Sequence, residues 1–420
     1  MINMEHVLSL IRQAEKELEP QFRHIEEIEE IRTRQVLDVF RENRVSYRHF
    51  APSSGYGYDD IGRDTLENIY AGLFHTEAAL MRPHVASGTA ALSLTLFGLT
   101  RPGERILSAT GMPYDTLQSV LGIGSSAPAG SLREMNVHFD CVELRADGTI
   151  DVPAVEAAIR ENTTLVIAQR SRGYAWRPSL MPEAFSELAD MLHSRHPRIR
   201  LMVDNCYGEF VCEKEPSDFG ADVIAGSLIK NPGGGIAPTG GYVAGRKEDV
   251  ERIASRLTAP GLGRELGSYA ASYRPFYQGL FMAPHTVAQA LKTAVLAAKI
   301  FETLGMRTTP PSDELRADII QAIEMGSPER LVAFCRGIQA ASPVDSMAAP
   351  EPWDMPGYDD PVVMAAGTFV AGASIELSAD GPLREPYTAY MQGGLTYAHG
   401  RIAMAEAVRQ MMENGSVSLY

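Results

Sequence analysis

An α/β fold with a mostly parallel central sheet is predicted by two observations. Short, almost wholly apolar runs recur along the chain: ILSA at 106–109, TLVIAQ at 164–169, RLMVD at 200–204, DVIAGS at 222–227 and GYVAG at 241–245. The stretches between them have helical character, and strands apolar on both faces need helices above and below the sheet. With 420 residues, 45% of them hydrophobic, the chain is long enough for one large α/β domain and a smaller one.

The elements follow in order. Val7, Ile11, Ala14 and Leu18 recur at helical spacing, and Ile25, Ile28, Ile31, Val36, Leu37 and Phe40 extend the pattern, which predicts an N-terminal helical arm over 1–50. A large domain is expected over 51–285 and a small C-terminal α+β domain over 286–420, opened after Pro284 by an alanine-rich helix with Val287, Leu291, Ala294 and Ala298 on one face. The proline-rich acidic tract 343–361 reads as a loop within the small domain.

Composition excludes several roles. The net charge of −15, with no basic run or stripe, argues against nucleic acid as a partner. Charges run throughout the first twenty residues and no apolar stretch reaches membrane length, so a cytoplasmic protein without a membrane span is expected. Cys141, Cys206, Cys212 and Cys335 form no C-x-x-C pair and the histidines lack ligand spacing, so neither a disulfide frame nor a metal is expected.

The chemistry gathers around Lys230, in AGSLIKNPGGGIAPTGGYVAG. Burying an ammonium at the end of a strand is costly, and a desolvated amine of lowered pKa forms Schiff bases with aldehydes, the task of the lysine in pyridoxal-phosphate enzymes. Four features accompany it. Ser87, Gly88 and Thr89 open a helix in SGTAAL, where free N–H groups can cradle a phosphate; a simple N-cap is the plainer alternative. Tyr114 stands where a strand gives way to a helix and offers a ring to stack on a flat heterocycle and a hydroxyl to exchange protons. Asp204 ends the strand RLMVD, on the edge where α/β sheets bind ligands, and would keep a pyridine nitrogen protonated. Ser227 lies three residues before Lys230, within reach of the same phosphate, and Gly233, Gly234 and Gly235 follow in a tight turn.

These residues, with SGYGYDDIGRDTLENIYAGLF, VASGTAALSLTLFGL, QRSRGYAWRPSL, VDNCYGEF and YMQGGLTYAHGR, resemble a fold-type I pyridoxal-phosphate enzyme of the Cys/Met-metabolism type, most specifically the methionine γ-lyase-like proteins often labelled aluminium-resistance proteins. The resemblance implies pyridoxal 5'-phosphate on Lys230, its ring nitrogen paired with Asp204 and stacked by Tyr114, and its phosphate held by Gly88, Thr89 and Ser227. A segment from a neighbouring subunit completes such phosphate sites, and Tyr56, Tyr58 and Arg63 occupy the matching region, which implies a homodimer or homotetramer with shared active sites. The chain departs from the better-studied lyases in carrying Ile229 where they have threonine, and a triple glycine where they have histidine. A substrate carboxylate would need an arginine; Arg384 and Arg172 are the candidates, Arg384 being favoured.

The expected reaction is elimination at a sulfur-containing amino acid. Lys230 removes the Cα proton, a β or γ substituent leaves, and Tyr114, or Tyr56 of the other subunit, protonates the thiolate. Transamination on the same cofactor, or an inert binding or stress-response protein on the same fold, are the competing expectations.

Overall fold

The computed structural model describes residues 4–124, 128–355 and 360–418. Seven strands build the sheet that carries the site: β1 (Ala78–Arg82), β2 (Arg105–Ser108), β3 (His138–Cys141), β4 (Thr163–Gln169), β5 (Arg200–Asp204), β6 (Val223–Ser227) and β7 (Gly241–Gly245), in the spatial order β1, β7, β6, β5, β4, β2, β3. β2 to β6 are parallel, whereas β7 runs antiparallel between β1 and β6. All five expected strands are present. Ile106, Leu107, Leu165, Val166, Leu201, Val203, Val223 and Ile224 have no exposed surface, which is why these runs show no polar alternation.

The sequence pattern did not flag β1 or β3. β1 contains two alanines, which favour strands weakly, and β3 is a four-residue edge strand whose His138 is exposed. After β3 the chain crosses over β2 to lay down β4, and the carboxyl ends of β4, β5 and β6 then open onto one crevice. Gln169, Asp204 and Ala225 stand side by side there. Helices α3 (Ile61–Leu73), α4 (Gly88–Leu99), α5 (Asp115–Leu121), α6 (Val152–Ala158), α7 (Ser186–Arg195) and α8 (Lys247–Leu257) fill the connections.

The N-terminal arm is two helices, α1 (Met4–Glu17) and α2 (Glu19–Glu42). Val7, Ile11, Ala14, Leu18, Ile25 and Val36 are buried as the spacing requires. The arm also reaches the connection between β5 and β6 through Arg32, a buried cation whose Nη2 donates to Glu215 Oε1 at 2.5 Å.

The long helix α9 (Arg274–Thr303) begins ten residues earlier than expected and carries Pro284 in its interior. The expected domain boundary at 285/286 therefore falls within a continuous helix. A mid-helix proline forfeits one backbone hydrogen bond; here Ala283, Pro284, Val287 and Leu291 are all buried, and packing offsets the loss. The glycine-rich loop explains why this stretch must be closely packed. Gly234 sits at φ +56, and a Cβ there would lie 2.3 Å from the carbonyl oxygen of Gly279 in α9, so the loop that follows Lys230 rests backbone to backbone on the helix.

Beyond α9, β8 (Thr308–Thr309), β9 (Ile320–Glu324), β10 (Val362–Ala365), β11 (Ser378–Pro382) and β12 (Thr388–Gln392) form an antiparallel sheet in the order β10, β11, β12, β9, β8. α10 (Pro328–Ala340) and α11 (Tyr397–Glu413) accompany it. The tract at 343–361 has no strand or helix among its described residues beyond a bridge from Trp353 to Val362, and residues 356–359 lie outside the described set.

Candidate active site

Lys230 follows β6 by three residues and precedes a single 3-10 turn, Asn231–Gly233. Asn231 fixes that turn, its Nδ2 donating to the carbonyls of Tyr207 and Glu209, both at 2.9 Å. The side chain of Lys230 is only partly accessible, and its Nζ lies 3.8 Å from the centre of the Tyr207 ring. Tyr207 holds φ +72, a conformation unusual for a non-glycine residue, and its carbonyl accepts from Ile319 N at 3.2 Å as well as from Asn231.

Asp204 ends β5 and is buried; its Oδ1 accepts from Cys206 N at 3.1 Å. Burial pushes its carboxyl upward, and the Lys230 charge together with the Cys206 hydrogen bonds works in the opposite direction. For Lys230 itself, burial favours loss of the proton, but Cys206, Tyr207, Asp204 and Tyr114 around it outweigh that and hold the amine well above its ordinary value. The lowered lysine pKa expected from sequence is thus overturned for the free side chain. The desolvation is present, but the acids opposite it decide the sign.

The N-terminus of α4 faces this pair. Ser87 caps the helix, its Oγ accepting from Ala90 N at 3.0 Å. A Cβ on Gly88 would stand 3.2 Å from Cys206 Sγ, 3.3 Å from Ser227 Cβ and 3.8 Å from Lys230 Nζ, so Gly88, Ser227, Cys206 and Lys230 share one hollow. Ser227 Oγ is buried there without a hydrogen-bond partner among the described residues, an unmet need for a ligand oxygen. Tyr114 is the N-cap residue of α5, and its hydroxyl lies 3.0 Å from Thr89 Oγ1, which is in turn 3.2 Å from Thr116 Oγ1. Burial first, and the nearby Asp204 and Cys206 charges second, raise the Tyr114 phenol, keeping it a proton donor.

The structure therefore brings Lys230, Asp204, Ser87, Gly88, Thr89, Tyr114 and Ser227 to one crevice. Tyr56 and Tyr58 lie outside it, 70% and 56% exposed, with ring centres 5.6 Å apart. Arg63 does not join the cluster: its Nη1 donates to the carbonyl of Gly57 at 2.8 Å and its Nε to Asp64 at 2.8 Å, so it clamps the loop that bears the two tyrosines. The favoured Arg384 is exposed and pairs with Asp360 at 3.2 Å, whereas Arg172 is buried; the charges of both, Arg384 first, act on Tyr390. Tyr390 packs with Tyr174 and Tyr207. The two arginines thus differ in solvation, which the sequence alone does not display.

Cys206, Tyr207 and Thr116 belong to the site and were not singled out by sequence. Cys206 and Tyr207 were legible in principle, since they follow Asp204 directly in the turn that leaves β5. Glu209, next along, is fully buried and its carboxyl is pushed up to about 8, mainly by desolvation; it accepts from the Tyr242 hydroxyl at 2.9 Å.

The chain is similar to known proteins. The Bacillus subtilis protein YnbB is 51% identical over 391 residues, 93% of each chain. A carbon-sulfur lyase involved in aluminum resistance from Clostridium novyi NT superposes with a TM-score of 0.94 at 48% identity, covering 98% of this chain and 96% of that one. The pyridoxal-5'-phosphate dependent protein YhfS from Escherichia coli, at 15% identity, shares the fold alone, with a TM-score of 0.63 over 93% of this chain and 97% of its own. The architecture is that of fold-type I pyridoxal-phosphate enzymes, and since the family profile for methionine gamma-lyase matches residues 7–412, the chain belongs to that family.

Proposed function

We propose that the protein is a carbon–sulfur lyase that uses pyridoxal 5'-phosphate held at Lys230 to eliminate a thiol from a sulfur-containing amino acid. The observation that carries this is the convergence of one amine, one buried acid, one stackable phenol and one unpartnered serine hydroxyl on a glycine-floored hollow at a helix N-terminus. The residues present fit the cofactor. Gly88 and Thr89, at the start of α4, and Ser227 would hold its phosphate; Asp204 would face the ring nitrogen; Tyr114 would cover the ring. When bound, the cofactor supplies an electron sink for charge developing at Cα.

The chain's own residues do the rest. Lys230, once exchanged for the substrate amine, is positioned to take the Cα proton. Its charge is then stabilised by the face of Tyr207 and by the acids around it. Asp204 remains a buried acid whose burial strengthens any pairing it makes. Tyr114, kept protonated and hydrogen-bonded through Thr89, gives its proton to the departing sulfur. Arg172 receives the substrate carboxylate. Tyr56 and Tyr58, exposed on a clamped loop, complete the neighbouring pocket in a homodimer or a dimer of dimers, in the cytoplasm.

Purified enzyme offered L-methionine and L-cysteine should release thiol, keto acid and ammonia together, and Lys230→Ala should lose both turnover and the visible absorbance of the lysine-bound cofactor. Full turnover in that variant, or conversion of the cofactor to its amine form without thiol release, would contradict the proposal.

A further inference from the structure

Two deeply buried arginines, Arg172 and Arg316, keep donor nitrogens without acceptors among the described residues. Arg172, 2% exposed, donates from Nη1 to the carbonyl of Thr309 at 2.8 Å, but Nε and Nη2, neighbours on one edge of the guanidinium, have no partner among the described residues. Arg316, 7% exposed, has no partner among the described residues for any of its three nitrogens. The acid between them is already engaged: Asp318 Oδ2 accepts from Ser171 Oγ at 2.8 Å and Ser179 Oγ at 2.5 Å, and its Oδ1 accepts from Ile320 N at 3.1 Å. Those bonds bring the two arginines together, since Ser171 precedes Arg172 and Asp318 lies just beyond Arg316. Burial, and then repulsion from Arg172, push Arg316 down to about 9. The nearby Arg177 is spent on the carbonyls of Gln169, Ser171 and Pro178.

A buried guanidinium with free donors is unfavourable unless a ligand supplies acceptors. The free edge of Arg172 is the one that meets both oxygens of a carboxylate in parallel. Arg172 is also adjacent to the aromatic group of Tyr174, Tyr390 and Tyr207, and the last of these lies against the Lys230 amine. We infer that Arg172 and Arg316 together form a two-guanidinium seat for the carboxylate of the substrate amino acid, with Arg316 as a substrate-binding residue that Arg172 alone does not replace. The inference rests on the lyase reading above. Arg172 takes the carboxylate oxygens along its Nε and Nη2 edge, and Arg316 donates to the same group from the segment that leads into β9.

The test compares wild type, Arg316→Lys and Arg316→Met as holoenzymes. Lysine keeps the charge but not the planar fork, so Arg316→Lys should raise the KM for L-methionine about tenfold, leave kcat within about threefold, and keep the cofactor absorbance; methionine at this position should raise KM further. Sodium acetate should raise the melting temperature of wild type, apo or holo, and compete with L-methionine, and both effects should shrink in the two variants. L-Methioninamide, which lacks the carboxylate, should bind wild type poorly and distinguish little between wild type and variants. A wild-type KM in Arg316→Lys overturns the inference, as does loss of native circular dichroism in both variants, which would make Arg316 a folding cation. Acetate that stabilises without competing also overturns it, placing the anion instead in the 340 Å³ cavity that Arg316 lines together with Ile25, Cys212 and Leu291. Wild type inert toward every sulfur amino acid would instead sink the underlying lyase reading, a separate outcome.

Discussion

Arg170 and Arg172 stand two residues apart, are equally hidden from solvent, and do opposite things. Every nitrogen of Arg170 has a partner: Nε donates to the carbonyl of Leu180 at 3.3 Å, Nη1 to Asn205 and Gly208 at 2.8 Å and to Glu215 at 3.3 Å, and Nη2 to Cys212 Sγ at 3.4 Å. Glu215 gathers Arg32 from the N-terminal arm, Arg170 from the loop after β4 and Asn205 beside Asp204. That cluster meets every nitrogen of Arg170 and leaves only Nε of Arg32 without a partner among the described residues, and its shared carboxylate holds the crevice in shape. Among the described residues Arg172 leaves one edge open, and Arg316 has no partner at any nitrogen. Among these buried cations, a carboxylate at hydrogen-bond distance separates scaffold from proposed binding site: Arg32 and Arg170 share Glu215, whereas Arg172 and Arg316 have no carboxylate partner among the described residues.

The largest effect should come from opening the Glu215 cluster. Glu215→Gln leaves Arg32 and Arg170 buried without their shared counter-charge, and stability should fall by about 3–5 kcal/mol in denaturant unfolding. A variant as stable as wild type would show that the cluster is not the scaffold described. Arg172→Lys should do the reverse: it should cost substrate affinity, by about 1.5–3 kcal/mol read as KM for L-methionine, and leave the unfolding midpoint near that of wild type. A drop in stability without a change in KM would make Arg172 scaffold too.

Glu209 sharpens the contrast, as a buried acid rather than a cation. Its carboxyl is raised from an ordinary 4.5 to about 8, so the folded chain binds more protons there than the unfolded chain between those values, and stability must fall as pH rises through that window. Glutamine is neutral throughout and can still accept from Tyr242. Glu209→Gln should therefore gain stability relative to wild type from about pH 4.5 to 8, by at most about 1.4 kcal/mol per pH unit, with no further gain above. A difference that is flat with pH would remove the buried acid from the account. The smallest effect is expected at Arg384, whose exposed pair with Asp360 is screened by solvent. Arg384→Ala should change stability by less than about 1 kcal/mol and leave KM unaltered; a large rise in KM would return the carboxylate to the residue that sequence reading favoured.

What was legible in the sequence was what is local. Strands buried on both faces announce themselves as unbroken apolar runs, and Asp204 and Lys230 stand out as charges at their ends. Ser87 and Tyr114 mark helix starts, which are also local. The seat at Arg172 was half visible, as one arginine in QRSRGY, but its partners come from Asp318 and Arg316, and the Ser171 to Asp318 bond spans 147 positions. No spacing rule reaches that far. The difference between Arg384 and Arg172 was hidden for the same reason: solvation separates them, and solvation is a property of the folded chain. Pro284 misled because proline ordinarily ends a helix, whereas close packing on the Gly234 loop carries α9 through it.

Reduction of the purified holoenzyme with borohydride, followed by peptide mass mapping, tests the central claim most directly. A single stable cofactor adduct on Lys230 is the result expected. An adduct on any other lysine, or none in protein that carries the cofactor's absorbance, would contradict the assignment.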